Sequence, residues 1–136
     1  MGFKTSGASV LFVALATLAF AVNVTLAQED TTPKQPLRSP AIARGVIGGE
    51  AHDSYVIDAE KGRTLAVQIS WRRVEDNWAE FSVSDSPDFF SGAPVAFGTV
   101  SDKGKRWKGV VPRTGKYYIY IVAHPTAHYT LRVTIK

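Results

Sequence analysis

The residues best suited to chemistry in this chain are three histidines, a scatter of carboxylates and a basic stretch around a tryptophan. His124 and His128 stand four apart, a spacing that chelates a metal ion when both project from one helix face. Pro125 and the strand-like residues after it argue against a helix there, and no third ligand is at hand unless His52 approaches from another loop. The expectation is no metal, with these histidines on a surface or in a turn. Glu75, Asp76, Glu80, Asp85 and Asp88 offer oxygen atoms to calcium, yet the Asp/Asn alternation and turn glycine of a calcium loop are missing. Solvated loops account for them.

Nucleophilic catalysis has little to stand on. No Gly-x-Ser-x-Gly elbow occurs, and Ser82, Ser84, Ser86 and Ser91 lie in or after a strand without a local histidine. Carboxylate pairs such as Glu75 or Asp76 with Glu80 are too common to indicate glycosidase chemistry. The chain is read as a non-enzyme without a cofactor. The basic stretch is the more suggestive feature: Lys103, Lys105, Arg106 and Lys108 surround Trp107, and Arg113 and Lys116 follow. In a strand, Arg106 and Lys108 face water while the indole turns inward. Arg pairs bidentately with carboxylate, so such a hairpin suits an acidic cleft. The same cations also fit a plain strand edge that discourages strand addition. Lys105, Arg106, Lys108, Arg113, His124 and His128 are the partner-binding candidates, with Arg72-Arg73 beside Trp71 as a second patch.

The elements that must carry these residues show period-two alternation. Leu65, Val67, Ile69 and Trp71 alternate with Thr64, Ala66, Gln68 and Ser70, and Tyr129, Leu131, Val133 and Ile135 alternate with Thr130, Arg132, Thr134 and Lys136. Turn residues recur at Glu60–Gly62, Asp85–Asp88, Ser91–Pro94, Asp102–Gly104 and Pro112–Gly115, the rhythm of a sandwich. Strands are expected near 53–59, 63–71, 78–84, 94–100, 106–111, 116–123 and 128–135. The segment Lys116–Val122 is apolar on both faces, which predicts a central strand with its outer face covered; the alternative is an exposed tyrosine surface.

The first residues have another purpose. A single cation, Lys4, precedes an uninterrupted run from Ala8 to Val22, and Thr25-Leu26-Ala27 supplies small residues for a signal peptidase. Residues 1–27 read as a cleavable signal peptide. The run falls short of the roughly 20 apolar residues of a membrane anchor, so no stable anchor remains after cleavage. Residues 28–43, with three prolines, read as a flexible leader, and 44–136 as one domain. The sequence contains no cysteine, which excludes disulfide scaffolds and thiol chemistry. Without Lys4 the chain keeps 15 cations against 12 anions, too mild an excess for a nucleic-acid protein.

Gly48-Gly49, Tyr55-x-Ile57-x-Ala59-x-x-Gly62-x-x-Leu65-x-Val67, Val111-Pro112-x-x-Gly115-x-Tyr117-x-Ile119 and Tyr129-x-Leu131-x-Val133 together resemble the pre-peptidase C-terminal domain. The stretch from Ile47 to Val67 and the turn Pro112-x-x-Gly115-Lys116-Tyr117 resemble its single-domain relatives, the periplasmic inhibitors of g-type lysozyme. The resemblance covers residues 44–136. It implies an all-β, antiparallel jelly-roll-like sandwich of seven to eight strands, with Gly62 and Gly115 in tight turns and Tyr55, Leu65, Tyr117 and Leu131 facing a core. It also implies a non-catalytic, periplasmic or secreted protein with a protein partner. The inhibitors carry a long Arg/Lys-rich loop between their last two strands, whereas Ala123–His128 here is short and has no Arg or Lys. Two other readings stand beside inhibition: a glycan-binding module stacking sugars on Trp78, Tyr118 or Tyr120, and a structural envelope domain.

Overall fold

The computed structural model describes Gly2 and residues 28–136. The expected signal peptide therefore lies, Gly2 apart, outside the described residues. Nine strands form in chain order: β1 (Lys34–Leu37), β2 (Ala41–Gly48), β3 (Asp53–Ala59), β4 (Thr64–Trp71), β5 (Trp78–Ser84), β6 (Gly98–Ser101), β7 (Arg106–Val110), β8 (Gly115–His124) and β9 (Thr126–Ile135). The helical content of the described residues is one 3₁₀ turn at Asp102–Gly104. Two sheets face each other, one ordered β1-β3-β8-β5 and the other β2-β9-β4-β7-β6. All pairings are antiparallel except that of β1 with β3.

The inward half of each alternating strand builds the core. Leu65, Val67 and Ile69 of β4, Leu131 and Val133 of β9, Tyr55 and Ile57 of β3, and Tyr117, Ile119 and Ile121 of β8 are all buried. Each such side chain contributes roughly 1.5–3 kcal/mol by leaving water, and without cysteines this layer is the main source of stability. Trp107 is buried as expected, against Phe97 and beside Gly98. A Cβ at Gly98 would sit 2.0 Å from the indole Cε2, so only glycine lets β6 lie on that ring.

Three expectations need correction. The leader 28–43 is not all flexible: Lys34–Leu37 adds as an edge strand, where Pro36 is tolerated, and β2 already begins at Ala41. Its inward residues Ala41, Ala43 and Gly45 are small, which makes a period-two strand look like a linker. The strand expected at 94–100 shrinks to Gly98–Ser101, because Pro94 makes one isolated bridge to Ser84 of the first sheet before the chain crosses to the second. Gly115 is not a tight-turn residue with positive φ, whereas Gly62 is, at φ 88°. By contrast, β8 is the central strand expected, between β3 and β5, with its outer face largely covered. Tyr120 is buried beneath Phe89 and His52, and Tyr118 is half-buried.

Candidate functional site

The turn residues place the basic stretch before the strand presents it. Asp102, Lys103 and Gly104 all take left-handed conformations, and the chain then enters β7 with Arg106 and Lys108 outward and Trp107 inward. Pairing sets their neighbours. Arg106 is opposite Ser101 of β6 and Gln68 of β4, and Gln68 is in turn opposite Arg132 of β9. Lys108 is opposite Thr99 and Ala66, and Ala66 is opposite Thr134. On the next row toward the other end, Ser70, Thr130 and Arg44 of β2 stand side by side. Ala66 and Gln68 floor a shallow depression of about 380 Å³ edged by Arg106, Lys108 and Arg132. A second depression on the same face is lined by Arg44, Ser70, Arg72, His128 and Thr130.

Arg72 is fixed at the end of that row. Its amide donates to the His128 carbonyl at 2.9 Å, and its own carbonyl accepts from the buried Asn77 amide at 3.0 Å. The outer face of the five-stranded sheet is thus cationic. Among the described residues Arg44, Arg72, Lys108 and Arg132 pair with no carboxylate, and Arg106 has only Asp102, at 3.7 Å, in the turn before its strand.

The candidates from sequence are divided by this geometry. Arg106, Lys108 and His128 share the cationic face. Lys105 lies at its margin, with its ammonium 5.1 Å from the centre of the Trp71 ring. Arg113 is elsewhere, bonded to Asp85 at 3.3 Å in the β7–β8 connection. His124 ends β8 on the outer face of the other sheet, against Trp78 at 4.3 Å between ring centres. His124 and His128 therefore belong to different sheets, and their spacing of four makes no chelate. His52 is committed to Asp30, its Nε2–H donating at 3.1 Å, and stacks on Phe89 at 4.0 Å.

That last pair anchors the segment before β1 to the four-stranded sheet. The Asp30 carboxylate accepts from Lys34 Nζ at 2.8 Å, from the Thr32 and Phe89 amides at 3.0 and 3.1 Å, and from His52. Burial acts to raise its pKa. The Lys34 ammonium and the two amides outweigh that and hold the carboxyl well below its usual range. The loop that carries Phe89 is shaped by Asp88, whose carboxylate accepts from the Ser91 hydroxyl and the Phe90 amide and is held below its usual range by them.

No protein-family model matches the chain, and a search of curated proteins finds no match. Solved structures do match. PliG of Aeromonas hydrophila, a periplasmic inhibitor of g-type lysozyme, is similar with a TM-score of 0.61 and 23% identity over 76% of this chain and 96% of its own. PliG of Salmonella Typhimurium gives 0.53 and 21% over 76% and 98%. The pre-peptidase C-terminal domain of a Bacillus anthracis collagenase gives 0.54 and 16% over 80% and 100%. The chain shares the two-sheet sandwich fold of these solved structures.

On this sandwich, the features that sequence reading missed are Arg44 and Arg132 on the face and the Asp30–His52 anchor opposite. The signal for Arg132 was present. Arg132 alternates with the buried Leu131 and Val133, so its outward direction was readable. What the alternation does not supply is which strands are neighbours, and hence that Arg132 and Arg106 flank one glutamine.

Proposed function

We propose that this protein is an exported, non-catalytic inhibitor of a g-type lysozyme. The observation that carries this reading is the match of one whole sandwich to nearly the full length of two such inhibitors, 96% and 98% of their chains. A cationic hairpin on that sandwich supports it. The backbone of Arg106 and Lys108 is held by a ladder on both sides, so no backbone ordering is left to cost affinity on docking. A guanidinium entering a glycan-cleaving groove would meet the carboxylates such a groove needs and block the sugar from them. Binding by complementary charge and shape does the work, and no bond is made or broken.

The sequence departs from the inhibitors at Ala123–His128, where β8 turns into β9 through Pro125 alone. The contacts must come from other loops and from the hairpin. The test is lysis of peptidoglycan by a g-type lysozyme in the presence of the purified protein, with a c-type lysozyme alongside. Dose-dependent slowing of the g-type enzyme is expected. Unchanged lysis at micromolar excess overturns the proposal.

Sugar stacking has less support. Of its three rings, Tyr120 is buried and Tyr118 half-buried, and Trp78, 42% exposed, already packs on His124.

A further inference from the structure

We propose that the outer face of the five-stranded sheet binds a linear acidic polysaccharide, its sulfate or carboxylate groups held by Arg44, Arg106, Lys108 and Arg132. The inference does not rest on lysozyme inhibition. It uses the breadth of the sheet, whereas the inhibitor reading uses one hairpin.

Charge segregation is the first ground. The outward positions of β2, β9, β4, β7 and β6 carry these four cations together with His128, and no carboxylate. One anion, Asp102 in the turn before β7, approaches Arg106 at 3.7 Å, while Asp30 pairs with Lys34 and His52, Asp58 with Lys116 and Asp85 with Arg113 away from the face. Uncompensated like charges on one face repel each other, and an anionic chain laid across them relieves that repulsion.

Spacing is the second ground. Arg106 and Arg132 are two strands apart with Gln68 between them, about 10 Å between their backbones, and Arg106 and Lys108 are about 7 Å apart along one strand. That interval is comparable with the disaccharide repeat along which an acidic polysaccharide carries its charges. The neutral side chains between the cations, namely Gln68, Ser70, Ser101, Thr130 and Thr134, are hydrogen-bonding groups suited to sugar hydroxyls. The small residue Ala66 leaves the floor low enough for a ring to settle between Lys108 and Thr134.

The same cations would attract nucleic acid, but the rest of the face does not suit it. No outward position of the five strands bears a Phe, Tyr or Trp ring on which a base could stack, and the imidazole of His128 stands alone. A sheet face also offers no helix or ribbon to enter a groove. Ile42 and Val46, exposed on either side of Arg44, give apolar contact for the C–H faces of sugar rings.

The experiment is affinity electrophoresis of the purified protein in gels containing dextran sulfate, polygalacturonate or neutral dextran. Retardation is expected with at least one acidic polymer and not with dextran, and the more retarding of the two identifies sulfate or carboxylate as the preferred group. Arg44→Ala with Arg132→Ala should weaken binding about tenfold, about 1.4 kcal/mol. Arg113→Ala with Lys116→Ala removes the same charge from outside the face and should leave binding near its original strength. Arg132→Gln alone, which keeps hydrogen bonding, provides a second variant should the double substitution disturb the sheet. Equal loss from both double variants, absence of retardation, or tighter binding to phosphatidylglycerol vesicles or to a single-stranded oligonucleotide overturns the proposal.

Discussion

Tyr129 of β9 donates its hydroxyl proton across the sandwich to the Asp53 carboxylate of β3, and accepts one from Tyr55 at 2.5 Å. The chain Tyr55–Tyr129–Asp53 joins the two sheets through polar atoms at one end of an otherwise apolar core. Room for it comes from β2. A Cβ at Gly45 would stand 2.5 Å from the Tyr129 hydroxyl. Tyr129→Phe removes the middle member and strands the Tyr55 hydroxyl, so it should cost about 1–3 kcal/mol in urea unfolding. Tyr55→Phe removes only the terminal donor and should cost less.

The same chain gives the alkaline limb of stability a sign. Burial pushes the Tyr129 phenol up, reinforced by its bonds to Asp53 and Tyr55, and burial likewise raises Tyr55. A group raised in the folded state stabilises below its unfolded pKa, about 10 for tyrosine, and loses that contribution as pH rises beyond it. The melting temperature should therefore fall above pH about 10, and the fall should be shallower in Tyr129→Phe. An equal slope in both proteins would exclude this origin.

Asp30 sets the opposite limb. Its carboxyl is held low despite burial, and its side chain is 2% exposed. A depressed carboxylate stabilises fully above its unfolded pKa, about 4, and the contribution diminishes as pH falls below that value toward the lower pKa of the folded state. Asp30→Asn should cost about 2 kcal/mol at neutral pH through weakened bonds to Lys34 and His52. The gap in stability between the two proteins should narrow under acid. Calorimetry between neutral pH and pH about 3 measures both effects, and a constant gap would contradict the assignment.

Much of the sandwich was legible because its strongest signal is local. The alternation in Thr64–Trp71 and Thr126–Ile135, with turns at Gly62 and Gly104, fixed which side chains face inward. The two added strands escaped for opposite reasons. Lys34–Leu37 is held mainly by backbone pairing to β3, whereas the inward face of Ala41–Gly48 is built, until Ile47, from the small residues Ala41, Ala43 and Gly45, which do not look like a core. Of the site, Arg106 and Lys108 were readable from one strand. Their union with Arg132 and Arg44 depends on the order β2-β9-β4-β7, a long-range property that period two cannot encode. Likewise, nothing near Asp30 in sequence announces Phe89, 59 residues away, as its hydrogen-bond donor.

Gly98 and Trp107 offer a sharper check on packing. With the indole lying on Gly98, Gly98→Ala must push either β6 or the ring away. Overpacking of this kind costs about 1–3 kcal/mol. Trp107 is 6% exposed, so its displacement should also shift tryptophan emission to longer wavelength. Gly104→Ala, with open space around its Cβ but φ at 85°, should destabilise through the backbone alone and leave Trp107 emission unchanged.

The hairpin cations separate stability from binding. Arg106 and Lys108 are exposed, and the single ion pair between them and the described carboxylates is the exposed Arg106–Asp102 contact at 3.7 Å. Such pairs contribute little to folding, so Arg106→Ala with Lys108→Ala should change the unfolding midpoint by no more than about 0.5 kcal/mol equivalent. Inhibition of g-type lysozyme by the same variant should weaken about tenfold or more, because an Arg anchor at a docking surface typically costs above 1.4 kcal/mol when truncated. Arg113→Ala, taken from the pair with Asp85 in the β7–β8 connection, should leave inhibition intact. Inhibition lost at Arg113 and kept at Arg106 and Lys108 would move the contact surface from the sheet face to that connection.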